Sequence, residues 1–185
     1  MRETRASTLL SVAALCLSAI TVYTTELAGP ALTLTAAETA YLARDPSGSA
    51  EVVLVPLTIS NGGANEGVVH AISLEVEAVG REGTRRFFAA ATGPRPSPDA
   101  EPFAPLSISG QASTARAVMF YPLGPGEALI DRAGTYRLRI AGQGPHGRQT
   151  AELELTLPYF SLPELADGRL IRMTPLEWET RDVPN

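Results

Sequence analysis

Two stretches near the middle of the chain, GTYRLRI (residues 134–140) and AELELTL (residues 151–157), constrain the fold more than any other feature. Each places its large apolar side chains on one parity and its charged ones on the other, the period of a half-buried β-strand. GPHG (residues 144–147) lies between them and reads as the turn of a hairpin. Setting Tyr136 opposite Leu155 also sets Leu138 opposite Leu153 and Ile140 opposite Ala151, while Arg137 meets Glu154 and Arg139 meets Glu152 on the outer face. A slip of one residue would bring arginine against leucine, so the pattern specifies its own register. An exposed Arg–Glu pair contributes only about 0.2–1 kcal/mol, so the charges select the pairing more than they stabilise it.

The same alternation occurs upstream. Val53, Val55, Leu57 and Ile59 share one face, and Val68, His70, Ile72, Leu74, Val76 and Ala78 share one face of a following run, with Ser73, Glu75 and Glu77 opposite. SNGGANEG (residues 60–67) joins the two, and its glycines and asparagines are expected to supply the positive φ values of a tight reversal. Residues 85–92, 103–109 and 114–123 are three further candidate strands, each bounded by Gly or Pro and less regular in alternation. With 16 glycines and 15 prolines spread along 185 residues, the composition suits many short strands around one core. The expected fold is all-β, an antiparallel sandwich of about seven to nine strands.

Within that pattern, DRAGTYRLRI (residues 131–140) resembles the turn-Gly-x-Tyr lead into strand F of immunoglobulin-like sandwiches, with Gly134 two residues before Tyr136. The resemblance covers roughly residues 31–160. It implies that the Tyr136 hydroxyl bonds back to backbone as a tyrosine corner. It also implies that the strand carrying Glu75 and Glu77 neighbours strand F, so that Arg137 and Arg139 lie between two acidic rows. Leu138 stands where antibody domains carry a cysteine, and there is neither a disulfide pair nor a strand-C tryptophan, so the likeness is to the broad superfamily. The body is taken as residues 26–160, followed by an extension, residues 161–185, packed on the sandwich as an extra strand or helical turn. Trp178, the single tryptophan, is read as a packing residue or an interface anchor.

Residues 6–25 carry no charge, are preceded by Arg2 and Arg5 in a short cytoplasmic segment (residues 1–5), and are followed by Glu26. At about 1.5 Å per residue, 20 helical residues cover the roughly 30 Å of a bilayer core. Seven of the 20 are Ser or Thr, which also suits a signal peptide. Cleavage needs two small residues just after the apolar run, and the choices are poor: Leu27 with Gly29 precedes Pro30, Glu26 with Ala28 introduces a charge, and Thr35 with Ala37 lies too far along. An uncleaved single-pass anchor is therefore favoured over a signal peptide, with the body periplasmic or extracellular. Cys16 lies inside the apolar run behind Leu15, where lipid attachment wants a small residue.

Chemistry is narrowed by what the body lacks. Cys16 is the only cysteine, so intrachain disulfides and cysteine-based metal sites are excluded. From Glu26 onward 13 arginines face 19 acids, which argues against nucleic acid as a partner. All 15 basic residues are arginine, a coding bias that points to a GC-rich bacterial genome. Membrane-anchored copper chaperones with immunoglobulin-like domains present paired cysteines, whereas here Met119 and Met173 are isolated. His70 is read as a rim or core histidine and His146 as a turn residue. Asn65 with Glu66 and Asp99 with Glu101 lack the alternating spacing of a calcium loop, and GPRPSPDAEP (residues 93–102) reads as a stiff exposed loop. No nucleophile elbow or phosphate loop occurs. No catalytic, cofactor-binding or metal-ligating residue is assigned. The expected role is a membrane-held binding or scaffolding module with another envelope protein as partner; the alternatives are an accessory metal chaperone or small hydrolase with a site near His70, or a cleaved, secreted β-domain.

Overall fold

The computed structural model describes residues 2–44, 51–93, 100–124, 128–166 and 169–175. Helix α1 (Arg2–Val22) passes into a π-helical turn, Tyr23–Leu27, and a body of antiparallel strands follows. These strands are β1 (Leu32–Ala36), β2 (Ala40–Arg44), β3 (Glu51–Asn61), β4 (Gly67–Val69), β5 (Ala71–Ala78), β6 (Thr84–Gly93), β7 (Glu101–Pro102), β8 (Leu106–Ile108), β9 (Ser113–Pro122), β10 (Gly134–Gly144), β11 (Gly147–Leu157) and β12 (Ile171–Met173). A short helix, α2 (Leu162–Ala166), precedes the last.

One sheet runs β11-β10-β5-β6-β9-β3-β2-β12, with β1 also on β3 and β7 on β6; β4 and β8 form a small second sheet. The long sheet curls, and side chains from its two halves share one core: Phe87, Val76 and Leu138 lie in the same cluster as Val53, Val55 and Val118. The curl has a local cause at Ala90, an extra residue that shifts the β6–β9 register between Ala89 and Ala91. Such a bulge bends its strand and increases the twist. At the far end of the path β12 pairs with β2, and Thr174 exchanges backbone hydrogen bonds with Thr156 of β11, 2.8 and 3.4 Å. The two ends of the sheet are thereby joined, so the layers of the expected sandwich are halves of a single curled sheet.

The β10–β11 hairpin has the register read from the sequence, Tyr136 opposite Leu155, Arg137 opposite Glu154 and Arg139 opposite Glu152. On its other side β10 pairs with β5, which sets Arg137 opposite Glu77 and Arg139 opposite Glu75. The arginines therefore lie between two acidic rows, with ion pairs of 3.2–3.9 Å. Buried Tyr136 donates its hydroxyl to the Arg132 carbonyl at 2.7 Å, as a tyrosine corner requires. Arg81 donates to the same hydroxyl and lies 5.3 Å from the ring centroid. Burial pushes the phenol pKa up against the opposing pull of Arg81. The neutral phenol is thus favoured by the fold, so this contribution is complete below the ordinary tyrosine range, about 10, and is lost as pH climbs through it. Tyr136→Phe is expected to cost about 1–3 kcal/mol at neutral pH and to flatten the alkaline limb, read from unfolding midpoints across pH.

Three upstream readings are corrected. The run from Val68 to Ala78 is broken at His70: β4 pairs with β8, β5 pairs with β10, and Val69 faces the core in place of Val68. His70, expected to share an inward face, is exposed at the switch, where its N–H bonds the Gln143 carbonyl at 2.7 Å. Residues 60–67 do not make a tight reversal, because β3 pairs with β9 and not with β4. None of the glycines in that link has positive φ. Gly63 is needed for a close approach, since a Cβ there would stand 1.9 Å from the Gly29 carbonyl oxygen. Lastly, β3 is buried on both faces in its first half: Glu51, Val52 and Leu54 are as inaccessible as Val53 and Val55.

Candidate binding surface

β3 runs from Glu51, at the end of the body far from the apolar helix, to Asn61, whose side chain bonds Ala31 just past that helix, and the antiparallel ladders give the other strands of the long sheet an orientation. By that measure the β11 terminus, Leu157, lies at the distal end. Pro158 stops the strand, because it has no N–H to continue a ladder. The chain then makes a 3-10 turn, Tyr159–Ser161, closed by Ser161 N–H to the Pro158 carbonyl at 3.2 Å, and enters α2. Leu162 and Leu165 anchor α2 on the core and Ser161 is buried, which turns Tyr159 and Phe160 outward.

These two rings are 80% and 74% exposed, an unusual state for adjacent aromatics held on a packed turn. Together with half-exposed Leu170 they rim an open cleft of about 1130 Å³, floored by Ala133, Gly134 and Thr156 and closed by Ile171, Arg172 and Thr174. Glu164 and Arg172 give it polar edges. The arrangement suits desolvation of an apolar group against the two aromatic side chains, with orientation set by the polar edges.

A second, smaller concavity of about 650 Å³ lies on the outer face of β10, β5 and β6. Exposed Phe88 and Leu123 border it beside the Glu75–Arg86–Arg139 charges. The ionic groups there satisfy one another, Arg86 with Glu75 at 3.1 Å and Arg139 with Glu152 at 3.3 Å.

The residues weighed in the sequence are dispersed. His70 and His146 are exposed at the end of the body nearest the apolar helix, Met119 lies on β9, and Met173 is buried in the core. Asn65 is engaged through its side-chain amide with the Ala28 carbonyl, and Glu66 accepts from Ser107. Among the described residues no group of three or more His, Cys, Asp or Glu is arranged to hold a metal ion. Trp178, Asp99 and most of the proline-rich loop lie outside the described residues. Sequence reasoning missed Tyr159 and Phe160, whose signal was two adjacent aromatics directly after the proline that ends a regular strand. It missed Glu51 too, since an acid at the head of an apolar run reads as solvent-facing.

No family model and no curated protein matches this chain. Among solved structures, a Bacillus subtilis protein assigned as a lipoprotein (ycdA) aligns with TM-score 0.42 and 11% identity; 77% of this chain is covered, which spans 42% of that one. A protein assigned as late embryogenesis abundant aligns with TM-score 0.40 and 15% identity over 90% of each chain. The ApaA protein of Bordetella pertussis gives TM-score 0.33 and 14% identity over 80% of this chain and 97% of that one. These are distant likenesses among β-rich chains, and no role is carried over from them. Within the helix, Leu10–Leu27 is long and apolar enough to cross a membrane, with mean hydropathy 1.5 and none of it buried against the body.

Proposed function

We propose that this chain is a bacterial envelope protein in which α1 spans the cytoplasmic membrane once and holds an immunoglobulin-like, non-catalytic binding module outside it. The partner is another envelope protein, gripped at the Tyr159–Phe160 cleft. One observation carries the reading: two large rings are kept in water by a turn whose neighbours are packed, although both would gain by burial. Binding hot spots are built from such aromatics, and truncating one commonly costs 2 kcal/mol or more. The tyrosine corner and the position of β5 beside β10 support the immunoglobulin-like assignment. The unburied apolar helix supports the anchor.

The test is affinity capture from detergent-solubilised membranes of the native host, comparing the full-length protein with Tyr159→Ala/Phe160→Ala. The double variant is expected to lose a specific partner by about tenfold or more while unfolding at the same denaturant midpoint. Recovery of the same partners in the same amounts would overturn the proposed site.

A further inference from the structure

The join between helix and body is closed by hydrogen bonds and leaves no slack. The Ala28 carbonyl, one residue past the apolar segment, accepts from the backbone N–H groups of Ala64 (3.0 Å) and Asn65 (3.1 Å) and from the Asn65 amide (3.2 Å). The Gly62 N–H reaches the Ala31 carbonyl at 2.9 Å, and the Asn61 side-chain oxygen accepts from Ala31 N–H at 3.0 Å. Gln111 donates its amide to the Thr24 carbonyl, inside the apolar segment itself, at 3.4 Å, from a backbone with φ 55°, a left-handed conformation few non-glycine residues adopt. Two loops, residues 60–65 and 109–113, are thus fixed around the last turn of the helix.

Their level and composition decide what they meet. Thr24 and Ala28 are four residues apart, about 6 Å along a helix. The polar layer on each side of a ~30 Å hydrocarbon core has a similar depth, since the whole bilayer measures about 40–45 Å. Loops bonded to both carbonyls lie within that layer. SNGGAN and SGQAS contain no charged side chain, in a chain that is 19% charged, and offer amides, hydroxyls and glycine backbone instead. That is the chemistry of a surface that exchanges hydrogen bonds with headgroups without bringing a charge near hydrocarbon.

We propose that the loop pair 60–65 and 109–113 is a lipid-contact surface that rests in the phospholipid headgroup layer and holds the body upright on the membrane. This rests on the reading of α1 as a membrane span and goes beyond it, because a spanning helix on a slack linker would leave the body free to tumble. With β9 upright, Leu123 stands about 30 Å above Ser113 at ~3.3 Å per residue.

The experiment uses the full-length protein carrying Cys16→Ser, reconstituted in phosphatidylcholine vesicles that contain a headgroup-spin-labelled lipid. A fluorophore is attached at Ser109→Cys or, as the distal control, at Leu123→Cys, both exposed positions. The expected result is loss of most of the emission at Ser109 and little change at Leu123. Equal quenching at the two positions, with the protein still floating with the vesicles, would overturn the lipid contact and leave the anchor standing. Failure to float would overturn both.

Discussion

Glu51→Ala is expected to be among the most damaging single substitutions in the body, lowering the unfolding free energy by about 3–5 kcal/mol. The Glu51 carboxylate is fully buried at the head of β3. It accepts the backbone N–H groups of Leu129 (2.5 and 3.1 Å) and Ile130 (3.0 Å) and faces the Arg85 guanidinium at 3.7 Å. Alanine would strand two buried donors and remove the carboxylate that faces the mostly buried Arg85, and the unpaired donors carry their own desolvation cost. The loop it holds leads directly into β10, where Arg81 also donates to the Leu129 carbonyl at 3.0 Å and Tyr136 makes its corner. Glu51→Gln retains an acceptor and is expected to lose less, about 1–3 kcal/mol. Urea unfolding of the full-length protein in detergent, followed by circular dichroism, gives both values. Equal midpoints for wild type and Glu51→Ala would refute the role.

Met173→Ala should cost about 2–5 kcal/mol, the range for emptying a well-packed aliphatic site. Met173 is fully buried, as is Ile171 beside it on β12, and both belong to the main core cluster. Their strand is also what joins β2 to β11. The cavity therefore opens where the sheet has its fewest backbone hydrogen bonds, which places the expected loss toward the upper end of the range. Met119→Ala, at a half-buried position on β9, is the control and should lose distinctly less. Urea midpoints of the two variants decide the matter, and comparable losses would show that β12 adds nothing special to the core.

What could be read in advance depended on whether a segment's two faces differ. β10 and β11 alternate without exception in their outer charges, and opposite signs on the two strands leave only one acceptable pairing. β3 was half legible: Val53 to Ile59 showed one inward face, but alternation cannot announce that Val52 and Leu54 are covered as well. The glycine-rich link was misread because glycine serves two needs, left-handed φ and close approach, and only the second applies at Gly63. The break at His70 left no mark, since Val68 and Val69 are alike in type and Val68 keeps the even spacing of Ile72 and Leu74, although Val69 is the residue turned inward. Of the candidate surface, the aromatic pair was visible as residues but not as a site, because its exposure is set by how Ser161 and Leu165 pack behind it.

The order in which the strands are made gives the closure by β12 a kinetic meaning. Leu42 waits for Ile171, its neighbour across the ladder, through almost all of the intervening synthesis. Ordering so long an intervening stretch is slow by the usual dependence of folding rate on sequence separation. An emerging chain thus keeps an unsealed flank until β12 has been made, and a product stopped before it would carry that flank permanently, open to proteolysis.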